Sequence, residues 1–180
     1  MADDHAYAIF LNGSYGVGKS SVLDAVGDRL AAGGRAFSLM DVDWFHRSWP
    51  VAADDSENTV VEARNIAAVW ANYRTAGPRQ LVLSGVVTSS ADLDRYSAAV
   101  GMPVRPIRLI ARPTTIEARL RSRYDRHRQD HLEWHLERFA QLAERQAAAD
   151  LDECVVDTDA VAPADVADIV LCHFQLGAGA

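Results

Sequence analysis

The sequence predicts an α/β domain: a doubly wound, five-stranded parallel sheet with helices on both faces. Three observations carry that expectation. Short apolar runs alternate with longer helical stretches along all 180 residues, and such alternation produces parallel strands covered on both sides. No repeat or low-complexity linker divides the chain, so residues 1–180 read as a single domain. Right-handed crossovers favour the doubly wound arrangement, in which ligands bind at the carboxyl ends of the strands.

The elements follow in order. "AYAIFLN" is a short apolar run ending at Gly13 and reads as a buried strand. Lys19 to Ala31 carries Val22, Leu23, Val26 and Leu30 at helical spacing and stops at Gly33-Gly34. "AFSLMDVD" is the second strand. Glu57 to Arg74 is a long helix whose apolar members are Val61, Ile66, Val69, Trp70 and Tyr73, ended by Gly77-Pro78. "QLVLSGVV" is the third strand, and Ala91 to Val100 a short helix capped by Ser90. "VRPIRLIA" is the fourth strand. Pro106 lacks a ladder donor, which places this strand near an edge or makes it irregular. From Thr114 the chain is helical, interrupted by a charged patch, and helical again to Ala149. "ECVVDT" is the fifth strand, and Pro163 to Phe174 a closing helix with proline in its first turn.

Gly13 to Ser20 reads G-S-Y-G-V-G-K-S, a full match to G-x-x-x-x-G-K-[ST] between a strand and a helix. Gly13, Gly16 and Gly18 permit positive φ, so that the backbone N–H groups of Ser14, Tyr15, Gly16, Val17 and Gly18 line an anion-binding nest. The helix starting at Lys19, with Ser20 and Ser21 in its first turn, aims its positive end at the same point. Lys19 adds a full charge for the outer phosphates, and Ser20 a hydroxyl where magnesium binds. The loop is therefore expected to hold the β- and γ-phosphates of a nucleoside triphosphate.

At the end of the second strand, Asp41 and Asp43 lie two apart, and strand periodicity turns both to one side. One carboxylate can anchor magnesium and the other can take the proton of an attacking hydroxyl. Asp41 is favoured for the metal and Asp43 for the base; turn capping is the structural alternative. The third strand, "LVLSG", offers no acidic residue of its own. The sequence also lacks N-K-x-D, the guanine-reading device, and the transporter-ATPase signature.

This phosphate loop with D-x-D on the second strand resembles the small-molecule kinases of the P-loop nucleoside triphosphate hydrolase fold. That group includes shikimate and gluconate kinases, nucleoside monophosphate kinases and chloramphenicol phosphotransferase. The glycine-rich segment that shikimate kinase carries after its third strand is replaced here by "SGVVTSS". The resemblance implies ATP with magnesium and a small lid closing over the phosphates. It places the lid at about residues 119–135, in the segment bearing Arg112, Arg119, Arg121, Arg123, Arg126 and Arg128. By the same resemblance Arg119 contacts the nucleotide and Arg123 is the catalytic lid arginine, while Asp157 and Thr158 border the base. A solvated helix paired to Glu117, Asp125 and Asp130 is the alternative. The acceptor region is expected at about 44–75, with Asp43, Trp44, His46, Arg47 and Asn65 as substrate contacts. Aromatics there suit stacking on a base, a sugar face or a ring. Trp70 and Tyr73 read as core. His127, His131 and His135 are spaced by four, and read as helix-surface histidines rather than a zinc site.

Composition narrows the classes. A net charge of −7 disfavours nucleic acid as the main partner. No apolar run suits a membrane span, and the acidic start is unlike a secretory signal, so a cytoplasmic protein is expected. Cys154 and Cys172 read as small buried hydrophobes in a reducing compartment. The leading function is an ATP-dependent phosphotransferase acting on a hydroxyl of a small molecule. The alternative is an ATP-binding regulatory or partner module without phosphotransfer. The acceptor's identity and the oligomeric state are not readable in the sequence.

Overall fold

A computed structural model describes residues 6–124 and 126–177, except for the side chain of Arg126. Two residues of the predicted lid region, Asp125 and the Arg126 guanidinium, therefore lie outside the described set.

The sheet has five parallel strands: β1 (Ala8–Gly13), β2 (Phe37–Asp41), β3 (Gln80–Ser84), β4 (Val104–Ile110) and β5 (Cys154–Asp157). Their order is β2-β3-β1-β4-β5. β1 is central and buried along its whole length, as its unbroken apolar run requires. The chain winds to one side of β1 through β2 and β3, then to the other through β4 and β5. The order thus reverses at the end of β1, where a crevice opens, and the glycine-rich loop begins there.

Helices cover both faces. α1 (Lys19–Ala32) and α6 (Pro163–His173) pack together on one side, burying Val22, Val26, Val166 and Val170 with Ile9, Leu11 and Ile107. α2 (Thr59–Arg74) and α3 (Ser90–Val100) cover the other, enclosing Phe10, Met40, Ile66, Trp70, Leu83 and Tyr96. α4 (Pro113–Arg123), a 3₁₀ turn (Arg126–Arg128) and the 21-residue α5 (Gln129–Ala149) fill the connection from β4 to β5. Among the described residues no helix is long and apolar enough to cross a membrane.

Several local expectations need correction. β4 is an interior strand, not an edge. Pro106 is tolerated because its carbonyl, which accepts from Glu153 N at 2.8 Å, faces β5 just before pairing starts at Ile107–Cys154. Its missing N–H therefore falls where no ladder partner stands. α2 starts at Thr59, not Glu57: Asn58 adopts φ 56°, and the Asp55 carboxylate accepts from the N–H groups of Val60 and Val61. α3 is capped by Ser89, one residue earlier than expected, in a reciprocal box with Asp92. Tyr73 is 39% exposed rather than core, whereas Trp70 is buried. Cys172 is exposed and Cys154 only partly buried, so neither is a core residue.

Candidate functional site

The loop after β1 is a nest of backbone donors. Gly13, Gly16 and Gly18 have φ of 151°, 77° and 102°, a region closed to most side chains. At Gly16 a Cβ would also stand 3.0 Å from Ile116 Cγ2 and 3.1 Å from Leu120 Cγ, so α4 packs directly on the loop. Ser14 and Val17 turn inward, each 2% exposed. Ser14 Oγ donates to Phe139 O at 2.6 Å, so these residues offer a ligand backbone only. Tyr15 stands against α5, its ring edge-on to Trp134 at 5.3 Å and His135 at 4.7 Å. α1 begins at Lys19 with no side-chain cap, leaving its first-turn N–H groups, including those of Ser20 and Ser21, aimed at the loop.

Lys19 Nζ arches over the nest and donates to Gly13 O at 2.8 Å and Ser14 O at 3.2 Å. Loss of hydration holds its ammonium below the usual lysine range, while Asp43 and Asp41 pull the other way. Arg123 adds to the lowering, which places its charge within reach of the loop.

The two aspartates converge here by a route different from the one expected. β2 ends at Asp41, and Asp43 lies in a 3₁₀ turn (Val42–Trp44), so strand periodicity does not align them. Asp41 accepts from Ser20 Oγ at 3.1 Å through one oxygen and from Asp43 N at 3.2 Å through the other. The Asp43 carboxylate lies over Gly85, with Oδ1 3.8 Å from where a Cβ would stand.

Arg119 grips the loop itself. Its Nη1 donates to Val17 O at 3.1 Å and to Thr158 Oγ1 at 3.0 Å, and its Nη2 to Thr158 O at 2.8 Å. The Thr158 hydroxyl also reaches Val17 O and Ile110 O. At 3% exposure Thr158 braces the loop from inside. Asp157 is exposed and accepts from Asp159 N at 2.8 Å.

At the base of α5, His135 Nδ1 lies 2.6 Å from His131 O, and Tyr124 Oη 3.3 Å from the same ring nitrogen. Burial holds the His135 imidazole below its usual range. The histidine spacing therefore builds an aromatic packing surface over Tyr15.

The 44–50 loop stands on the β2 side of the crevice. Trp44 is 65% exposed, with the Arg47 guanidinium 4.2 Å above its ring. Arg47 Nε donates to Asp43 O at 3.2 Å, and Asn65 Nδ2 to Phe45 O at 2.8 Å. His46 Nδ1 is 3.5 Å from Glu62 Oε1. Glu62 is buried and takes a 3.2 Å hydrogen bond from the Tyr96 hydroxyl, with Arg95 3.9 Å away. Burial raises its pKa despite His46 and Arg95. This Glu62–Tyr96–Arg95 group escaped the sequence reading. The signal was present: Glu62 shares the four-residue spacing of Ile66 and Trp70, the other buried residues of α2. Asn58 was missed too; its Nδ2 donates to His46 O and Ser48 O and pins the loop.

No protein-family model and no curated protein matches the chain. Solved structures do. A sugar kinase from Janibacter sp. aligns with a TM-score of 0.59 at 17% identity, covering 97% of each chain. The tunicamycin resistance protein of Deinococcus radiodurans gives 0.61 at 17% identity, over 96% of this chain and 97% of that one. Shikimate kinase from Bacteroides thetaiotaomicron gives 0.63 at 15% identity, over 95% and 99%. The fold is that of the P-loop small-molecule kinases. At such identities the likeness is one of architecture, extending over nearly the full length of both partners. In open α/β sheets ligands bind in such a crevice, outside the carboxyl ends of the strands where their order reverses.

Proposed function

We propose that the protein is an ATP-dependent phosphotransferase that moves the γ-phosphate to a hydroxyl of a small molecule. The observation that carries this reading is the convergence of Lys19, Ser20, Asp41 and Asp43 at one end of the sheet. Both carboxylates act on the Lys19 ammonium, and Asp41 is in hydrogen-bond contact with Ser20. A nucleotide-binding loop alone needs no such pair.

The donor set suits the cofactors. Ser20 and Asp41 offer oxygen atoms only, the ligand type magnesium prefers, and the open side of Gly18 leaves the nest accessible to phosphates. ATP supplies the phosphoryl group, and magnesium neutralises charge on its oxygens. The backbone from Gly13 to Ser20, with Ser21 in the first turn of α1, holds the phosphates, and Lys19 stretches from Gly13 O and Ser14 O to meet them. Asp43 takes the proton of the acceptor hydroxyl. Arg123 comes down from the end of α4 to the transferring group, and Arg119 secures the loop floor beside the nucleotide, with Asp157 at the base side. Trp44, His46, Arg47 and Asn65 line the acceptor side of residues 44–75, and residues 119–135 form the lid.

The test is ADP release with ATP and magnesium against a panel of hydroxylated acceptors. The panel spans nucleosides, nucleotides, sugars, sugar acids, shikimate, aminoglycosides, tunicamycin and chloramphenicol-like drugs. One acceptor raising the rate far above background supports the proposal and names the substrate class. Nucleotide-dependent stabilisation with no stimulation by any acceptor supports an ATP-reading module instead.

A further inference from the structure

Away from the crevice, between β4, β5, α4 and the second half of α5, lies a cavity of about 230 Å³ whose walls include Ser14, Arg108, Ile116, Ala143, Ala147 and Val155. Most of this lining is apolar, and its rim is open: Val155 is 47% exposed and Ile110 40%. Arg108 is its charged member. Its side chain is only 14% exposed, and among the described residues its buried Nε and Nη1 have no hydrogen-bond partner. Asp152 stands 3.7 Å from Nε, close enough to balance charge but too far for a hydrogen bond. Asp152 is itself committed elsewhere, accepting from Asn12 Nδ2 at 2.9 Å. Buried donors are nearly always satisfied, and guanidinium donors are matched best by carboxylate oxygens.

From this cavity and these donors we infer a second ligand site, which takes a small apolar molecule carrying a carboxylate, its oxygens at Arg108 and its body against Ala143, Ala147 and Val155. Size sets the class. A dry apolar cavity of about 150 Å³ holds benzene, so this one holds a single ring with a carboxyl group and little more. The site is separate from the acceptor crevice, since it opens on the β4–β5 face and shares with the phosphate loop only an inner wall, at the inward-turned Ser14 and Val17.

Benzoate is the probe, with benzamide as its neutral counterpart, measured by titration calorimetry and thermal unfolding. The Lys19→Ala background keeps the phosphate loop from answering to the anion, so the result is independent of the phosphotransfer reading. Saturable one-to-one binding of benzoate with a rise in melting temperature is expected. Arg108→Met should weaken it by about tenfold or more, as loss of charge-assisted hydrogen bonds requires. Ala147→Phe, at an exposed position on the rim, should abolish it without disturbing the core. Absence of saturable binding, equal binding by benzamide, or undiminished binding in Ala147→Phe would each overturn the inference.

Discussion

Ser20 and Asp41 meet side chain to side chain: Ser20 Oγ donates a 3.1 Å hydrogen bond to Asp41 Oδ2 across the gap between α1 and β2. The contact ties the hydroxyl of the phosphate loop to the strand-end carboxylate. A divalent cation replacing that proton would hold the same two oxygens. Asp41→Ala is therefore expected to raise the magnesium concentration needed for half-maximal turnover by about tenfold or more. An unchanged magnesium dependence would place the metal elsewhere.

Lys19 spends its donors on Gly13 O and Ser14 O, bonds it can trade for phosphate oxygens. Wild-type protein should gain about 2.7 kcal/mol of stability at ATP a hundred times above its Kd. Lys19→Ala should lose nearly all of that gain, read as a melting temperature that no longer moves with nucleotide.

Asp43 lies in the turn after β2, with its carboxylate over Gly85. Asp43→Asn preserves shape but cannot take a proton. Nucleotide-induced stabilisation should persist while turnover falls by about 10²- to 10⁴-fold. Full turnover in that variant would end the base assignment.

Gly85 has no room for a side chain. A Cβ there would stand 2.3 Å from Val42 Cγ2 and 3.2 Å from Phe10 Cζ. Val42 sits between the two aspartates, so the strain is relieved by moving the turn that carries Asp43. Gly85→Ala should cost about 1–3 kcal/mol, seen in the urea midpoint, together with a loss of turnover larger than the loss of nucleotide binding.

Glu62 predicts a pH dependence. Burial raises its folded-state pKa above the ordinary 4.5. In the window between the unfolded and folded values the native state binds more protons than the unfolded chain, so this contribution to stability is present at low pH and fades as pH rises. Wild-type stability relative to Glu62→Gln should therefore decline from about pH 4 toward pH 7. Urea unfolding at several pH values measures it, and a difference that grows with pH would refute it.

The parallel sheet, the helices on both faces and the phosphate loop were legible because each leaves a local mark. An unbroken apolar run marked β1 as a buried strand, and three glycines at set spacing marked the nest. What stayed hidden depended on partners distant in sequence. Asp43 was placed on a strand because the bend after Asp41 is set by Val42 packing near Gly85. Nothing in the sequence around Thr158 reveals that Arg119, Val17 and Ile110 surround its hydroxyl. Pro106 suggested an edge because the late start of β5 is invisible from β4 alone. Glu62 was the exception, marked by a charge on the buried stripe of its own helix.

One feature of α5 ties it to the centre of the sheet. Near its far end Gln146 Nε2 donates to Asn12 Oδ1 at 2.7 Å, and the same oxygen accepts from Gly13 N and Val87 N. Partway along, Phe139 O takes the Ser14 hydroxyl. The helix is thus a mast stepped at two heights into β1 and the glycine-rich loop that follows it. The stretch before Phe139, about 15 Å of helix at 1.5 Å per residue, is held by side-chain packing instead: Leu132 is buried in the core and Leu136 lies against it. A change at Ser14 would therefore meet the backbone of α5 directly, at Phe139.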